Sequence, residues 1–179
     1  MQSNTDSKLM DMLVGYASSH QHPINIAVHL VGIPTIMLGV FTAFSWFNVE
    51  VIGISLNVAY LTVIAMFLFY LTLDRMFAVV FLVFAAIVAI VATRLGSYPQ
   101  PVAAIIAAAA FFGGYAAQFV GHAVEKSMPV LIKHPIQANL AAPFFTIVEV
   151  FKLLGLRDDL FSEVQQKIME HRAEQSGAA

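Results

Sequence analysis

Five of the six histidines in the chain fall in two short polar stretches of an otherwise apolar sequence. His20, His22 and His29 lie in the first stretch, and His122 and His134 lie in or just after the second. Imidazole nitrogen binds iron, zinc and copper well, and the sequence has no cysteine that could supply a thiolate instead. The pattern therefore predicts a metal site in which His20, His29 and His122 are ligands and His22 or His134 supplies a fourth.

The predicted helix boundaries allow these histidines to meet. His20 and His29 are nine residues apart and would point in opposite directions on one continuous helix. Pro23 favours the first turn of a new helix, so His20 belongs to the segment before it and is free to turn back. Further side chains are candidates to orient the ligating rings through hydrogen bonds, namely Tyr16, Asn25, Gln118 and Glu149.

Each of these residues also has a simpler explanation when it is taken alone. A histidine near a membrane boundary is usually an interfacial polar residue. His22 has a local task as a helix-capping or turn residue beside Pro23, and His171 lies in a charged, solvated tail. Glu125 and Lys126 form an ordinary pair of charges at a helix end. The metal hypothesis rests on the convergence of three histidines at one depth.

The composition predicts that this site is surrounded by a lipid bilayer. Of the 179 residues, 59% are hydrophobic and 11% are charged, with a mean hydropathy of +0.79. Soluble domains carry roughly 25% charged residues. We expect one integral membrane domain over residues 1–179, with a core at about 13–156 and a charged C-terminal helix and tail at 157–179. The net charge of −2 argues against nucleic acid as a partner.

Four runs nearly free of charge predict an all-α helical bundle that crosses the membrane four times. A span needs about 20 apolar residues. The predicted spans are 26–46, 51–73, 76–93 and 102–121. The segment 7–19 has apolar residues at helical spacing, and 130–156 is too polar to span cleanly. Both ends are therefore expected to form amphipathic or interfacial helices.

Lysine and arginine are distributed very unevenly about these spans. Eight of the nine lie on the side that holds both termini and the 74–75 turn, and only Arg94 lies on the other. The positive-inside rule therefore places both termini, and the two histidine-bearing stretches with them, in the cytoplasm. The membrane would be the inner membrane in a bacterium or the endoplasmic reticulum in a eukaryote. Oligomeric state stays open, with a homo-oligomer as one alternative.

The polar stretches resemble the motif of the Mpo1-like family, and the resemblance extends over about Leu13 to Leu156. Each piece of that motif is weak alone, but the combination is specific. The matching residues are Tyr16, His20, Pro23, Asn25, His29, Gly32, Ile33, Pro34, Gln118, Phe119, Gly121, His122, Glu125, Lys126, Pro129, Pro143, Phe144 and Glu149.

This resemblance implies a membrane-embedded, iron(II)-dependent dioxygenase that uses O₂ to shorten 2-hydroxy fatty acids by one carbon. It implies that His20, His29 and His122 are the family's ligands, whereas His22 and His134 have no histidine counterpart in its founding member. In that chemistry, open metal positions take O₂ and a substrate that chelates through its 2-hydroxyl and carboxylate groups. The acyl tail would stay in the lipid while the polar head reaches the metal.

Glu125 and Lys126 are the candidate catalytic residues within this interpretation. Glu125 shares a helix face with His122, and Lys126 or Lys133 could pair with the substrate carboxylate. The ligand types alone would also suit a hydrolytic zinc site. One rival interpretation is a membrane scaffold or lipid-binding protein with a structural metal or none. Another is a metal or proton transporter, which is disfavoured because the ionisable residues cluster at one face.

Single-cysteine labelling tests the predicted orientation, because the chain has no native cysteine. In sealed membrane vesicles, an impermeant thiol reagent should label Ser3→Cys only from the cytoplasmic face. It should label Ser97→Cys only from the opposite face. Labelling of both positions from the same side would contradict the four-span topology.

Overall fold

The computed structural model describes residues 2–18, 20–133 and 135–177, which are almost entirely helical. In chain order the elements are α1 (Gln2–Ser18), α2 (Pro23–Phe44), β1 (Asn48–Val51), β2 (Ile54–Asn57), α3 (Val58–Leu71), α4 (Arg75–Gly96), α5 (Gln100–Glu125), α6 (Val130–Lys133), α7 (Pro135–Leu153) and α8 (Asp158–Gly177). The two strands pair antiparallel as one hairpin. Among the described residues, α2, α4, α5 and α7 are long and apolar enough to cross a membrane, which confirms the all-α membrane bundle.

The second predicted span differs from the structure. Its first residues belong to the β1–β2 hairpin, which turns at Ile52 and Gly53 with φ of 52° and 75°. Asn57 then caps α3, because its side-chain oxygen accepts a hydrogen bond from Ala59 N at 3.0 Å. With 14 residues, α3 is about 21 Å long, less than the ~30 Å hydrocarbon core. A run of the right apolar length is thus divided between a hairpin and a short helix.

The C-terminal segment also differs from expectation, because α7 is a 19-residue helix of spanning length. Glu125 at the end of α5 accepts a hydrogen bond from Gln21 N, just before α2. Arg157, just after α7, bonds Asp74 at 2.6 Å, just before α4. Gly96 at the far end of α4 packs against residues at the far end of α2. The chain therefore leaves α5 and enters α8 at the same end of the bundle, without a net crossing in between.

Close packing of α2 against α5 forms the centre of the bundle. A Cβ atom at Gly39 would lie 2.6 Å from Phe111 N and 2.7 Å from Ala107 O of α5. Such distances are shorter than real Cβ contacts, so only glycine permits this approach. The two helices run antiparallel, which places the start of α2 beside the end of α5.

Aromatic packing holds α7 against α3 and α4. Phe144 lies with its ring centroid 5.1 Å from Tyr70 and 5.7 Å from Phe77, and all three side chains are fully buried. The Tyr70 hydroxyl donates a hydrogen bond to Leu140 O at 2.6 Å. Because a buried hydroxyl without a partner is unfavourable, this bond fixes the height of α7 relative to α3. The next residue of α7, Phe145, stacks on the ring of Tyr16 in α1.

Candidate metal centre

His20, His29 and His122 meet in one buried cluster, as the sequence predicted. Each can present a ring nitrogen so that all three nitrogens lie within 4.8 Å of one another. The ring centroids are 4.4 to 5.0 Å apart, and the ring planes are inclined by 69° to 89°. Three imidazoles that approach one point from different directions could hold a metal ion and leave other positions open. Among the described residues, no other histidine or carboxylate joins this cluster.

His20 is placed by α1 and by a stack of rings. Its Nδ1 donates to Tyr16 O at 2.9 Å, one turn back along the chain. Its ring lies 3.9 Å from the Tyr16 ring at an angle of 10°, and Tyr16 stacks in the same way on Phe145 of α7. Tyr16 therefore orients His20 through its backbone oxygen and its ring face, rather than through its hydroxyl.

His29 is placed by the start of α2. Pro23 is the first residue of this helix, and His22 is its N-cap, with Nδ1 accepting a hydrogen bond from Ile24 N at 3.2 Å. The predicted break before Pro23 is confirmed. His29 follows within the helix, and its Nδ1 donates to Asn25 O at 2.9 Å.

His122 is placed by the end of α5. Lys126 ends this helix with φ of 57°, a left-handed conformation uncommon for a residue other than glycine. The turn brings Ser127 back over the last helical turn, where its N donates to His122 O at 3.0 Å. The Ser127 hydroxyl is also hydrogen-bonded to His122 Nδ1 at 2.9 Å. Sequence reasoning did not identify Ser127, because no glycine marks this left-handed position.

The hydrogen bonds at Nδ1 fix where the lone pairs point. Tyr16 O and Asn25 O can only accept, so His20 and His29 carry their protons on Nδ1 when neutral. Their Nε2 atoms are then unprotonated, and these two atoms lie 3.1 Å apart with their lone pairs facing each other. Burial lowers the pKa of His20 to about 4, so this ring is neutral near pH 7. Two bare lone pairs this close repel each other unless a cation lies between them.

A metal ion fits this arrangement. Two nitrogens bound at the roughly 2.1 Å typical of metal–imidazole bonds would lie about 3.0 Å apart when the two bonds meet at a right angle. The separation of His20 Nε2 from His29 Nε2 is 3.1 Å. The donor set holds nitrogen alone and no thiolate, which suits iron, zinc or copper. Buried and held in place by hydrogen bonds at Nδ1, the three imidazoles are positioned to bind such an ion.

Glu125 joins the start of α2 to the end of α5. Its two carboxylate oxygens accept hydrogen bonds from Gln21 N at 2.7 Å and from Asn25 Nδ2 at 2.5 Å. Asn25 is fully buried, and its backbone oxygen orients His29. Gly121 leaves room for it, since a Cβ there would collide with Asn25 Oδ1. Glu125 thus reaches the cluster through Asn25, and it is not among the residues that line the adjoining cavity.

The other predicted site residues fall into three groups. Gln118 lies beside the cluster but has no hydrogen bond to any of its rings in the described part of the chain. Glu149 is paired with Lys152 at 3.6 Å, and Lys126 is exposed at the end of α5. His134, and the side chains of Lys133 and His171, lie outside the described residues.

A cavity of about 520 Å³ opens beside the three histidines. The histidines, Tyr16 and Gln118 line one part of it. On α2 the lining continues along one face through Ile33, Ile36, Met37, Val40 and Phe41. Val40 lies about 16 Å along the helix from His29, which is half the ~30 Å depth of a bilayer core. Thr62 and Met66 of α3 line it as well. The cavity therefore connects the polar histidine cluster to an apolar region that extends about 16 Å along α2.

A comparison with known protein families matches most of the chain to one family model. The family model described as "2-hydroxy-palmitic acid dioxygenase Mpo1-like" matches residues 7–154. The chain belongs to the Mpo1-like family. No curated protein and no solved structure matched the chain in the corresponding comparisons. The resemblance expected from the two polar stretches is thereby confirmed.

Substitution of single histidines tests the metal assignment. His122→Ala should lower metal affinity by more than about 100-fold, because losing even a group that only supports a ligand costs 10- to 100-fold. The measurement is the metal content of the purified protein after dialysis against a graded series of chelator concentrations.

His22→Asn is the matched control. Asparagine caps a helix as well as histidine does but offers no imidazole, so metal content should stay at the wild-type level. Full metal retention in His122→Ala, or metal loss in His22→Asn, would contradict the three-histidine assignment.

Proposed function

We propose that this protein is a membrane-embedded iron(II) dioxygenase that shortens 2-hydroxy fatty acids by one carbon. The observation that carries the proposal is that three buried imidazoles line one part of a long, mostly apolar cavity. The family's printed description supports the same substrate class. The reaction would consume one 2-hydroxy acid and one O₂, and yield the acid one carbon shorter, CO₂ and water. This balance requires no additional reductant.

His20, His29 and His122 would hold the iron. Bound there, iron(II) would supply the redox centre that lets O₂ react with an organic substrate and that zinc cannot provide. The backbone oxygens of Tyr16 and Asn25 and the hydroxyl of Ser127 would keep the imidazole nitrogens aimed at it. Because all three rings are buried, water has limited access to the centre.

The apolar wall of α2 would take the acyl tail. The face from Ile33 to Val40 begins one turn beyond His29 and leads away from it. A 2-hydroxy acid with its polar head at the histidines therefore finds hydrophobic surface in the direction its tail must run. Burying such a tail would contribute about 0.8 kcal/mol for each methylene group. The geometry thus favours a long-chain lipid over a short hydroxy acid.

We also propose that the end of the bundle that holds the histidines faces the cytoplasm. Support comes from the excess of lysine and arginine at that end. The Asp74–Arg157 pair lies there too, whereas Ser97 follows α4 at the other end. Glu125 and Lys126 stay candidates for assisting the reaction, Glu125 through Asn25 and Lys126 as an exposed positive charge near the site.

An oxygen-dependence experiment tests the proposed reaction. Purified protein loaded with Fe(II) should convert 2-hydroxypalmitate to the acid one carbon shorter under air and not under argon. Mass spectrometry of the products and a CO₂ trap provide the measurement. His29→Ala should abolish the product because it removes a ligand.

The same assay with Zn(II) separates the alternatives. Equal turnover with zinc, or without oxygen, would indicate that the protein is a hydrolase and would contradict the proposed dioxygenase. Absence of turnover across a range of chain lengths, with iron bound, would contradict an enzymatic function on these substrates.

Filling the far end of the cavity tests where the tail lies. Val40→Trp should reduce kcat/KM for 2-hydroxypalmitate by about tenfold or more and spare 2-hydroxylaurate, since the indole would displace the last methylene groups of the longer chain, each worth about 0.8 kcal/mol. Val31→Trp is the matched control, because Val31 lies on the same helix with 70% of its surface exposed. An equal loss for both substrates, or an equal effect of both variants, would place the tail elsewhere.

A further inference from the structure

The Gln118 side chain is a buried polar group that the histidine cluster does not explain. It lies on α5 one turn before His122, lines the cavity, and is only 8% exposed. Neither its Nε2 nor its Oε1 has a hydrogen-bond partner among the described residues. Sequence reasoning expected it to orient a ligating ring, yet the three rings use Tyr16, Asn25 and Ser127 for that purpose.

An unpaired amide is unfavourable in such a place. The group can donate two hydrogen bonds and accept two, and each one left unmade inside an apolar bundle raises the free energy of the fold. A methionine of similar length would fill the same volume without that penalty. Within the described residues, the Gln118 amide therefore costs stability rather than adding to it. A polar ligand that paired with the amide would remove that cost.

The facing helix is shaped to admit this amide. A Cβ atom at Gly32 of α2 would collide with Gln118 Nε2, so glycine at this position makes the space that the amide occupies. Gly32 lies three residues after His29, and Ile33 beside it begins the apolar wall. The amide thus lies where the polar cluster meets the apolar slot, which is where the head of a lipid joins its tail.

We propose that Gln118 binds the polar head of the substrate and determines the preference for a 2-hydroxylated acid. Rotation about its side-chain bonds carries the amide from Gly32 into the cavity. Nε2 then donates to the substrate carboxylate, and Oε1 accepts a hydrogen bond from the 2-hydroxyl group. This inference rests on the proposed function and extends it from the class of substrate to the residue that selects it. Gln118 and His122 lie on the same face of α5, so a substrate head bound by Gln118 would lie within reach of the three histidines.

Gln118→Met tests the assignment with two readouts of opposite sign. Without lipid, the variant should melt at the same temperature as the wild type or higher, because an unpaired amide has been replaced by an apolar group. With 2-hydroxypalmitate, its affinity should fall about tenfold or more, whereas its affinity for palmitate should change much less. Both affinities are measured under argon on the full-length protein loaded with Fe(II), so that binding is followed without turnover.

Gln166→Met is the matched control. Gln166 lies on the exposed face of α8, where it is bonded to Glu170, and its replacement should leave both affinities unchanged. A Gln118→Met protein that fails to fold, or that melts clearly below the wild type, would overturn the proposal, because the amide would then be serving the fold. Unchanged discrimination between the two acids would overturn it as well.

The wild-type protein separates this inference from the proposed function. If it turns over 2-hydroxypalmitate in air while Gln118→Met keeps the same KM and the same discrimination, the proposed function stands and the role of Gln118 fails. If the wild type binds 2-hydroxypalmitate no better than palmitate and turns over neither acid, the proposed function fails, and the role of Gln118 fails with it.

Discussion

Four glycines, Gly32, Gly39, Gly114 and Gly121, let α2 and α5 approach each other closely. A methyl group at Gly39 or Gly114 would meet the backbone of the facing helix at 2.6 to 3.0 Å, and one at Gly32 or Gly121 would displace the side chain of Gln118 or Asn25. In a bilayer, where lipid tails are as apolar as leucine, such close contact is a main source of helix association. The contact fixes the register of the two helices, and register decides that His29 and His122 face each other. Asn25 and Glu125 then join the helix ends by hydrogen bonds at the edge of the same contact.

Much of the candidate site was predictable because it depends on two properties that can be read from the sequence. These are the depth of each histidine in the membrane and the helix face on which it lies. The charge-poor runs and the uneven lysines and arginines placed His20, His29 and His122 at one end of the bundle, and Pro23 gave the break that lets His20 turn back. Only the meeting of these side chains needed the packing of α2 against α5. Glycines reveal that packing in the structure, but in the sequence they are equally compatible with a kink or a loop.

The parts that were not predictable depend on local backbone geometry. The hairpin before α3 has the apolar composition of a span, and only the positive φ angles at Ile52 and Gly53 separate the two. Ser127 reaches His122 because Lys126 adopts a left-handed conformation, which a lysine in the sequence does not predict. Composition also made the α7 region look interfacial, whereas its Phe144 and Phe151 pack into the aromatic core of the bundle.

His20 differs from its two partners in the kind of element that carries it. His29 and His122 lie on helices of spanning length, but His20 follows α1, which is bound to the rest by the rings of Tyr16 and Phe145 and by contact with α8. An ion shared by the three histidines would act as a cross-link that closes most of the chain into one loop. Metal binding would then be coupled to the docking of the N-terminal segment, as in small domains that fold around their metal. Assembly of the reactive centre and completion of the fold would be a single event.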